Sequence, residues 1–574
     1  MTSPVAKEIV SMWTRDRVRL DADVYRPALS GEFPVLLMRQ PYGRAIASTV
    51  VYAHPTWYAA QGYIVVIQDV RGRGTSEGEF KLFAHEIEDG YDSVQWAANL
   101  PGSTGAVGMY GFSYQGMTQL YAAAGKPTAL KTLCPAMLAY DVYGDWAYEN
   151  GAFCLQANLS WALQLAAETA RLKQDEVAFY TLATAAKNLT FDETVPARSR
   201  ILSKLDPTSF YHEWLAHPQP GAYWEALSPK TYLQDVDLPM LHLGGWFDTF
   251  LRGTLSLYND MASCSQHRQQ LMIGPWAHLP WGRRVGAIDF GIEANNPCDR
   301  LQIRWFDHFL KGTDTGLLHE PSIQLFEMGT NRWRSLDAWN SAEPTPFYLS
   351  STGLAGMDEQ DGKLIQPSSF NPPRSPLAIT PLETLRERHS FDILVHDPWR
   401  PVPAAGGHAA VPAGSFERSA LDCRTDILTY TSEPLTKALH LAGEVMLNVH
   451  CFADTPSFDL GAVLSTVHPN GAVYNFAQGY IQVQPGQKTD PLTFTLQPTC
   501  ICIQPGQAIR LSLSAACFPA YPVNPGTGEP ADKTRLIDQQ IITVTVISGG
   551  VGGAFSIENH PSHILLPINL EAPV

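Results

Sequence analysis

The spacing of apolar residues changes period several times along this 574-residue chain, and the order of those changes restricts what it can fold into. From about residue 5 to 138, short apolar runs such as Phe33 to Met38, Tyr63 to Ile67 and Ala106 to Tyr110 alternate with helix-period stretches such as Asp89 to Leu100. That rhythm predicts a mostly parallel sheet flanked by helices. Over 139–232 the strand signal stops, and Ala-, Leu- and Gln-rich stretches, Leu155 to Leu172 the clearest, carry helical period instead. We read them as a helical cap. The α/β rhythm resumes over 233–340 with strands at Leu238 to Leu243 and Gln270 to Ile273 and helices at Phe250 to Met261 and Arg300 to Lys311. The first domain is therefore expected in two pieces, 1–138 and 233–340. Over 341–574 nearly every segment alternates with period two: Val445, Leu447 and Val449 against Met446, Asn448 and His450, and Ile509, Leu511 and Leu513 against Arg510, Ser512 and Ser514. A C-terminal β-sandwich of jelly-roll type is predicted. The Gly-Gly-Val-Gly-Gly run at 549–553 lacks a strand-to-helix transition and is read as a loop rather than a phosphate cradle.

A chain of this length exceeds what one core can organise, and 45% hydrophobic residues with 17% charged ones support well-packed globular units. The formal charge of −16 argues against nucleic acid or anionic membrane as partner, since both require clustered Lys and Arg. The start lacks a basic segment followed by an apolar one, and no run approaches eighteen uninterrupted apolar residues. A cytoplasmic location is expected. Nine cysteines show no metal or redox spacing; Cys500 and Cys502, on one side of a predicted strand, are read as reduced packing residues.

The stretch Ala106 to Leu120 reads as a strand that breaks at Gly111 and resumes as a helix after Ser113. Small residues around such a turn lift a serine hydroxyl clear of a sheet, the layout of a nucleophile elbow. The usual glycine two positions after the serine is replaced here by Gln115, and Gly116 follows. A serine hydroxyl needs an imidazole to take its proton and a carboxylate to fix the imidazole's tautomer. In the α/β-hydrolase fold class those partners follow in the order Ser, acid, His, each after a strand. Asp248 lies just beyond the strand that starts near Leu238, and His278 ends the run from Leu271. Ser113, Asp248 and His278 are therefore the expected catalytic triad. His242 sits inside an apolar strand and reads as a core histidine, while Asp69 precedes the serine and breaks the order. The oxyanion donors are expected to be the backbone N–H of Tyr114 and a group from the turn Gln40-Pro-Tyr-Gly, either an amide or the Tyr42 hydroxyl.

These residues resemble the family that holds cocaine esterase, the X-Pro dipeptidyl peptidases and the α-amino acid ester hydrolases. The matching pieces are Arg39-Gln-Pro-Tyr-Gly, the segment from Asp69 to Gly78, Gly111-Phe-Ser-Tyr-Gln-Gly, Gly244-Gly-Trp-Phe-Asp, Gly274-Pro-Trp-Ala-His, Arg304-Trp-Phe-Asp-His-Phe-Leu-Lys-Gly and Asn331-Arg-Trp-Arg. They run in family order. The resemblance implies the triad already read and Tyr42 as the hydroxyl of the oxyanion hole; the segment Asp69 to Gly78 is a hallmark of the family that we read as fold-shaping rather than catalytic.

A small-molecule ester or amide is the expected substrate, with no cofactor and no metal; a homo-oligomer is an open alternative that the sequence does not decide. Asp141, Asp145 and Glu149 fall at i, i+4 and i+8, one face of a helix if the segment is helical. Such a face suits either an ammonium group of the substrate, as the resemblance to the amino acid ester hydrolases implies, or plain solvent exposure. Trp146, Trp161 and Phe247 are candidates for an apolar acyl pocket. The X-Pro peptidases of the family carry an extra N-terminal domain, whereas strands here begin within the first few dozen residues. A non-enzymatic alternative is a binding module on an inactive hydrolase scaffold.

Overall fold

The computed structural model describes residues 6–45, 50–191, 193–336, 338–339, 342–366, 389–550 and 562–569. Residues 551–553 of the glycine-rich run lie outside them. A ten-stranded sheet organises the first domain: β1 (Ala6–Trp13), β2 (Arg19–Arg26), β3 (Phe33–Gln40), β4 (Ile64–Asp69), β5 (Ser103–Phe112), β6 (Leu130–Ala136), β7 (Met240–Phe247), β8 (Gln269–Ala277), β9 (Ile323–Glu327) and β10 (Arg332–Leu336). Their spatial order is β1-β2-β4-β3-β5-β6-β7-β8-β9-β10. Neighbours from β4 through β9 run parallel, and antiparallel strands close both edges.

The parallel strands are apolar along most of their length and buried on both faces there, because helices or the cap cover each side. Val35 and Leu37 of β3, with Ile64 and Val66 of β4, enter a core shared with helices α1 (Glu86–Ala98) and α2 (Tyr114–Ala124) and with the cap. Leu36, Met38, Val65 and Ile67 point the other way, into a core that holds Trp305 and Phe306 of the helix Cys298–Lys311. The cap lies in sequence between β6 and β7. Its longest helix, α3 (Leu155–Leu172), buries Leu155, Leu159, Ala162, Leu163, Ala166 and Ala170, a stripe at helical spacing. Buried Arg73 donates to Leu165 O at 3.2 Å and Thr169 Oγ1 at 3.1 Å, tying the loop after β4 to this helix.

Among the described residues eleven strands form the C-terminal sandwich, including the antiparallel pair Leu439–Ala453 and Leu492–Ile503. Val445, Leu447 and Val449 are buried, whereas Met446, Asn448 and His450 are partly exposed, as the alternation predicts. The strand Ala508–Ser514 is buried on both faces, and its Arg510 is neutralised by Glu359 at 3.0 Å. The sandwich shares one apolar core with the first domain: Trp246, Phe247, Ile273 and Phe326 pack in the same cluster as Leu447, Cys500 and Leu511. The domains are thus joined through hydrophobic burial as well as covalently.

Candidate active site

Ser113 lies between the end of β5 and the start of α2 with φ of 59° and ψ of −128°. A non-glycine residue with positive φ is uncommon and costs on the order of 1–3 kcal/mol, so the surroundings must enforce it. Its N–H is held by Ala136 O at 3.0 Å and Met137 O at 3.1 Å, at the end of β6. Gly111 has φ of 141°, and a side chain there would fall 2.5 Å from Gln115 Cβ. One at Gly116 would fall 2.9 Å from Ala136 O. The tight approach of helix to strand is therefore made at 111 and 116, which leaves position 115 free to carry glutamine. Gln119, one turn on, donates to Gly111 O at 3.0 Å.

The acid and the histidine come together through strand register. β7 and β8 are adjacent and parallel with Phe247 opposite Ala277, so the next residues, Asp248 and His278, emerge side by side. His278 Nδ1 lies 2.8 Å from Asp248 Oδ1. Asp248 is fully buried, and its N–H donates to Gly245 O at 3.0 Å. The imidazole is partly exposed and sits between the rings of Phe112, at 5.5 Å, and Phe250, at 4.9 Å. Phe112 immediately precedes Ser113, so all three residues share the carboxyl edge of the parallel strands, where ligands of open α/β sheets bind.

Tyr42 is set by its own turn: its N–H donates to Gln40 Oε1 at 2.8 Å. Trp161 of α3 donates its indole N–H to the Tyr42 hydroxyl at 3.2 Å, and Ser113 is near enough to favour the ionised phenol slightly. Burial pushes the phenol up to about 12, so it keeps its proton at neutral pH. Tyr114 is the first residue of α2, and its N–H belongs to the helix-start amides without an intrahelical acceptor. Its side chain turns away, donating to Glu86 Oε1 at 2.7 Å, and Glu86 in turn pairs with buried Arg39 at 2.6 Å.

Around these groups the cap presents aromatic rings. Trp146 lies 4.7 Å from both Trp161 and Phe250, and Phe210 lies 4.9 Å from Trp161. Phe247 is not among them. It points into the core shared with the sandwich, 6.4 Å from Phe290, at the last position of β7. The aromatic against the histidine is Phe250, which the sequence reading assigned only to a helix start.

The acidic trio also departs from expectation, since no helix carries all three. A five-residue π-helical turn, Tyr143–Ala147, gives way to extended Tyr148, and Tyr148–Glu149 pairs antiparallel with Ala152–Phe153 across Asn150 and Gly151. Both turn residues have positive φ, 44° and 83°, the type I′ signature of Asn-Gly hairpins. Each carboxylate is engaged internally. Asp145 is buried, and its Oδ2 accepts the N–H groups of Tyr140 at 3.0 Å and Asp141 at 2.7 Å. Asp141 Oδ1 accepts the N–H of Tyr143 at 3.0 Å. Glu149 is buried against Arg252 at 3.0 Å, with His408 at 2.8 Å and the Tyr521 hydroxyl at 2.7 Å.

His242 is fully buried, with Nε2 2.9 Å from Gln269 Oε1, and burial lowers it to about 4. It is a neutral core histidine. Asp69 accepts from the Arg44 amide at 2.6 Å and pairs with the Arg44 guanidinium at 2.5 Å, which holds the turn after β3 against the loop after β4. Among the described residues one cluster, Glu327, His440 and Cys502, brings potential metal ligands together. Arg334 already pairs with Glu327 at 2.7 Å, so a cation would have to displace a guanidinium. All nine cysteines are unpaired thiols.

Fold and site define an α/β hydrolase with a helical cap and a C-terminal β-sandwich. The model of the X-Pro dipeptidyl-peptidase S15 family matches residues 16–280, and that of the X-Pro dipeptidyl-peptidase C-terminal non-catalytic domain matches 316–548. Together the two models match most of the chain, which belongs to this family. It is 28% identical to cocaine esterase of Rhodococcus sp. (strain MB1 Bresler), over 96% of this chain and 97% of that one. Among solved structures it is similar to an aminopeptidase from a marine-sediment Thaumarchaeota archaeon, with TM-score 0.78, 22% identity, and 99% and 97% of the two chains covered. An α-amino acid ester hydrolase gives TM-score 0.75 at 22% identity with the same coverage. At such identities the structural likeness speaks for the fold alone.

Proposed function

We propose that this chain is a serine esterase that cleaves carboxylic ester bonds, or related amides, of small uncharged acyl substrates through Ser113, His278 and Asp248. The observation that carries the reading is the 2.8 Å contact between His278 Nδ1 and Asp248 Oδ1 at the same sheet edge as a serine held at positive φ. With Nδ1–H committed to the carboxylate, Nε2 is the imidazole's basic nitrogen. It accepts the Ser113 proton as Oγ bonds to the substrate carbonyl carbon, and the carbonyl oxygen becomes an oxyanion. The Tyr42 hydroxyl and the Tyr114 amide donate to that oxygen. Collapse expels the leaving group, which takes the proton from His278. Water then attacks the acyl-enzyme by the same route and frees the acid.

The rings of Trp146, Trp161, Phe210 and Phe250 favour an apolar or aromatic acyl group. An amino-ester substrate would need a carboxylate free to face an ammonium ion, and Asp141, Asp145 and Glu149 are engaged elsewhere. The unpaired thiols suit a reducing, cytoplasmic setting. Among the described residues no helix is long and apolar enough to cross a membrane.

Wild type and Ser113→Ala are to be compared on a neutral aryl ester, an α-amino acid ester and an X-Pro anilide. We expect turnover of the neutral ester, abolished in the variant, and labelling of wild type by a fluorophosphonate. Absence of both turnover and labelling would favour the binding-module alternative.

A further inference from the structure

The triad acid touches a residue from the other domain. Gln497, in the strand Leu492–Ile503 of the sandwich, donates its side-chain N–H to the backbone carbonyl of Asp248 at 2.6 Å. The local backbone explains how the side chain reaches it. In the ladder with Leu439–Ala453, Gly443 pairs with Thr499 and Val445 with Leu496, so Gln497 and Pro498 stand opposite the single residue Glu444. That is a β-bulge on the Gln497 strand, a device that re-aims a side chain and recurs beside active sites. Pro498 fits there because a bulged residue needs no ladder N–H.

The contact bears on how the carboxylate is held. Oδ1 of Asp248 is on His278, while Oδ2 is buried with no hydrogen-bond partner among the described residues. No second side chain therefore fixes the carboxylate plane, and its aim depends on the main chain that carries it. The Asp248 N–H is tied to Gly245 O at 3.0 Å, and its carbonyl accepts from the Leu251 N–H at 3.2 Å and from Gln497. The Gln497 bond is the one from outside the loop. Gln497 Oε1 is itself buried and has no partner among the described residues, a cost that an apolar side chain of the same size would avoid. An amide kept there in spite of that cost points to its N–H as the useful group.

We propose that Gln497 is a positioning residue for the catalytic relay: the sandwich, through one side-chain amide, holds the Asp248 main chain so that the carboxylate meets His278 in register. The inference rests on the serine-esterase reading and adds a role for the second domain. Its test is a double-mutant cycle on the full chain, with kcat and KM for a neutral aryl ester measured in wild type, Gln497→Met, Asp248→Ala and the double variant. Gln497→Met should lower kcat about tenfold with KM within about twofold, the scale of a misplaced catalytic group. In the Asp248→Ala background the same change should have little further effect on kcat, since residues acting as one unit are not additive. An unchanged kcat in Gln497→Met, or an equal loss in both backgrounds, overturns the proposal, the latter meaning a general structural role. Should the methionine variant prove insoluble, Gln497→Glu, matched in shape but without the donor when ionised, takes its place in the cycle. Absence of Ser113-dependent turnover in wild type would remove the esterase reading and this inference together, whereas the other adverse outcomes remove the inference alone.

Discussion

The turn at Ser113 and the segment from Asp141 to Glu149 each display a spacing that suggests chemistry, yet only at the turn does the local backbone match the geometry that the spacing assumes. At Ser113 the glycines at 111 and 116 sit where any side chain would strike Gln115 or Ala136, so sequence and backbone are locked together. At 141–149 the i, i+4, i+8 pattern assumes a continuous helix. The Asn150-Gly151 turn instead turns the chain into a hairpin, and the three carboxylates part company. Spacing carries information when sterics enforce the backbone behind it, and little otherwise.

The largest expected effect tests the first half of that contrast. Ser113→Ala should lower kcat for a neutral aryl ester by about 10⁴-fold or more, leaving only what binding and the oxyanion donors supply, and it should leave the thermal midpoint nearly unchanged. A residual rate within tenfold of wild type would mean that the enforced turn does not carry the nucleophile. In the acidic segment the largest effect is on stability. Glu149→Ala leaves the partly buried Arg252 and the buried His408 and Tyr521 without their shared carboxylate, a change expected to cost about 3–5 kcal/mol in a denaturant titration. Were Glu149 instead a substrate contact, the loss would appear in KM for amino esters with the denaturation midpoint unmoved.

A smaller effect lies at the oxyanion. Tyr42→Phe removes the hydroxyl that Trp161 bonds, and kcat should fall by about 10²–10³, the range for loss of one oxyanion donor, with KM little changed. An equal fall in kcat/KM arising from KM alone would assign Tyr42 to substrate binding.

How much was legible follows the same division. The helix Leu155–Leu172 is written in an uninterrupted amphipathic period, and the inward residues of the Leu439–Ala453 strand are written in strict alternation. The Asp248–His278 meeting was legible in chain order and strand ends, because adjacent parallel strands in register deliver their next residues side by side. The first strand, Ala6–Trp13, was not read, since an edge strand exposed along most of its length has no apolar face to advertise. Phe250, rather than Phe247, meets the histidine because side-chain direction at a strand end depends on where the strand stops, which propensity does not specify. The hairpin at Asn150-Gly151 did carry a signal, the Asn-Gly pair, which the helical spacing of the acids obscured. Gln497 carried none: it meets Asp248 across 249 residues, through a bulge with no local mark.

The smallest expected effect separates the two buried carboxylates of the acidic segment by sign. Burial pushes the Glu149 carboxyl up, but Arg252, His408 and Tyr521 overcome it and hold it well below the usual carboxylate range. Its contribution to stability is therefore present above the ordinary glutamate value near pH 4 and lost as pH falls below it. Asp145 behaves oppositely. Burial raises it to about 6 against the two backbone amides and the more distant Arg252, so the folded state holds its proton more tightly than the unfolded chain does. Its contribution is complete below about pH 4 and is lost as pH rises through about 6. Relative to Asp145→Asn, wild type should thus lose about 2–3 kcal/mol between pH 4 and pH 6.5, at ~1.36 kcal/mol per pKa unit, and denaturant midpoints across that window measure it. The same substitution should alter KM for neutral and amino esters equally, because the carboxylate faces the backbone of Tyr140 and Asp141. A selective rise in KM for amino esters, with no pH-dependent difference in stability, would return Asp145 to the substrate and weaken the contrast with the Ser113 turn.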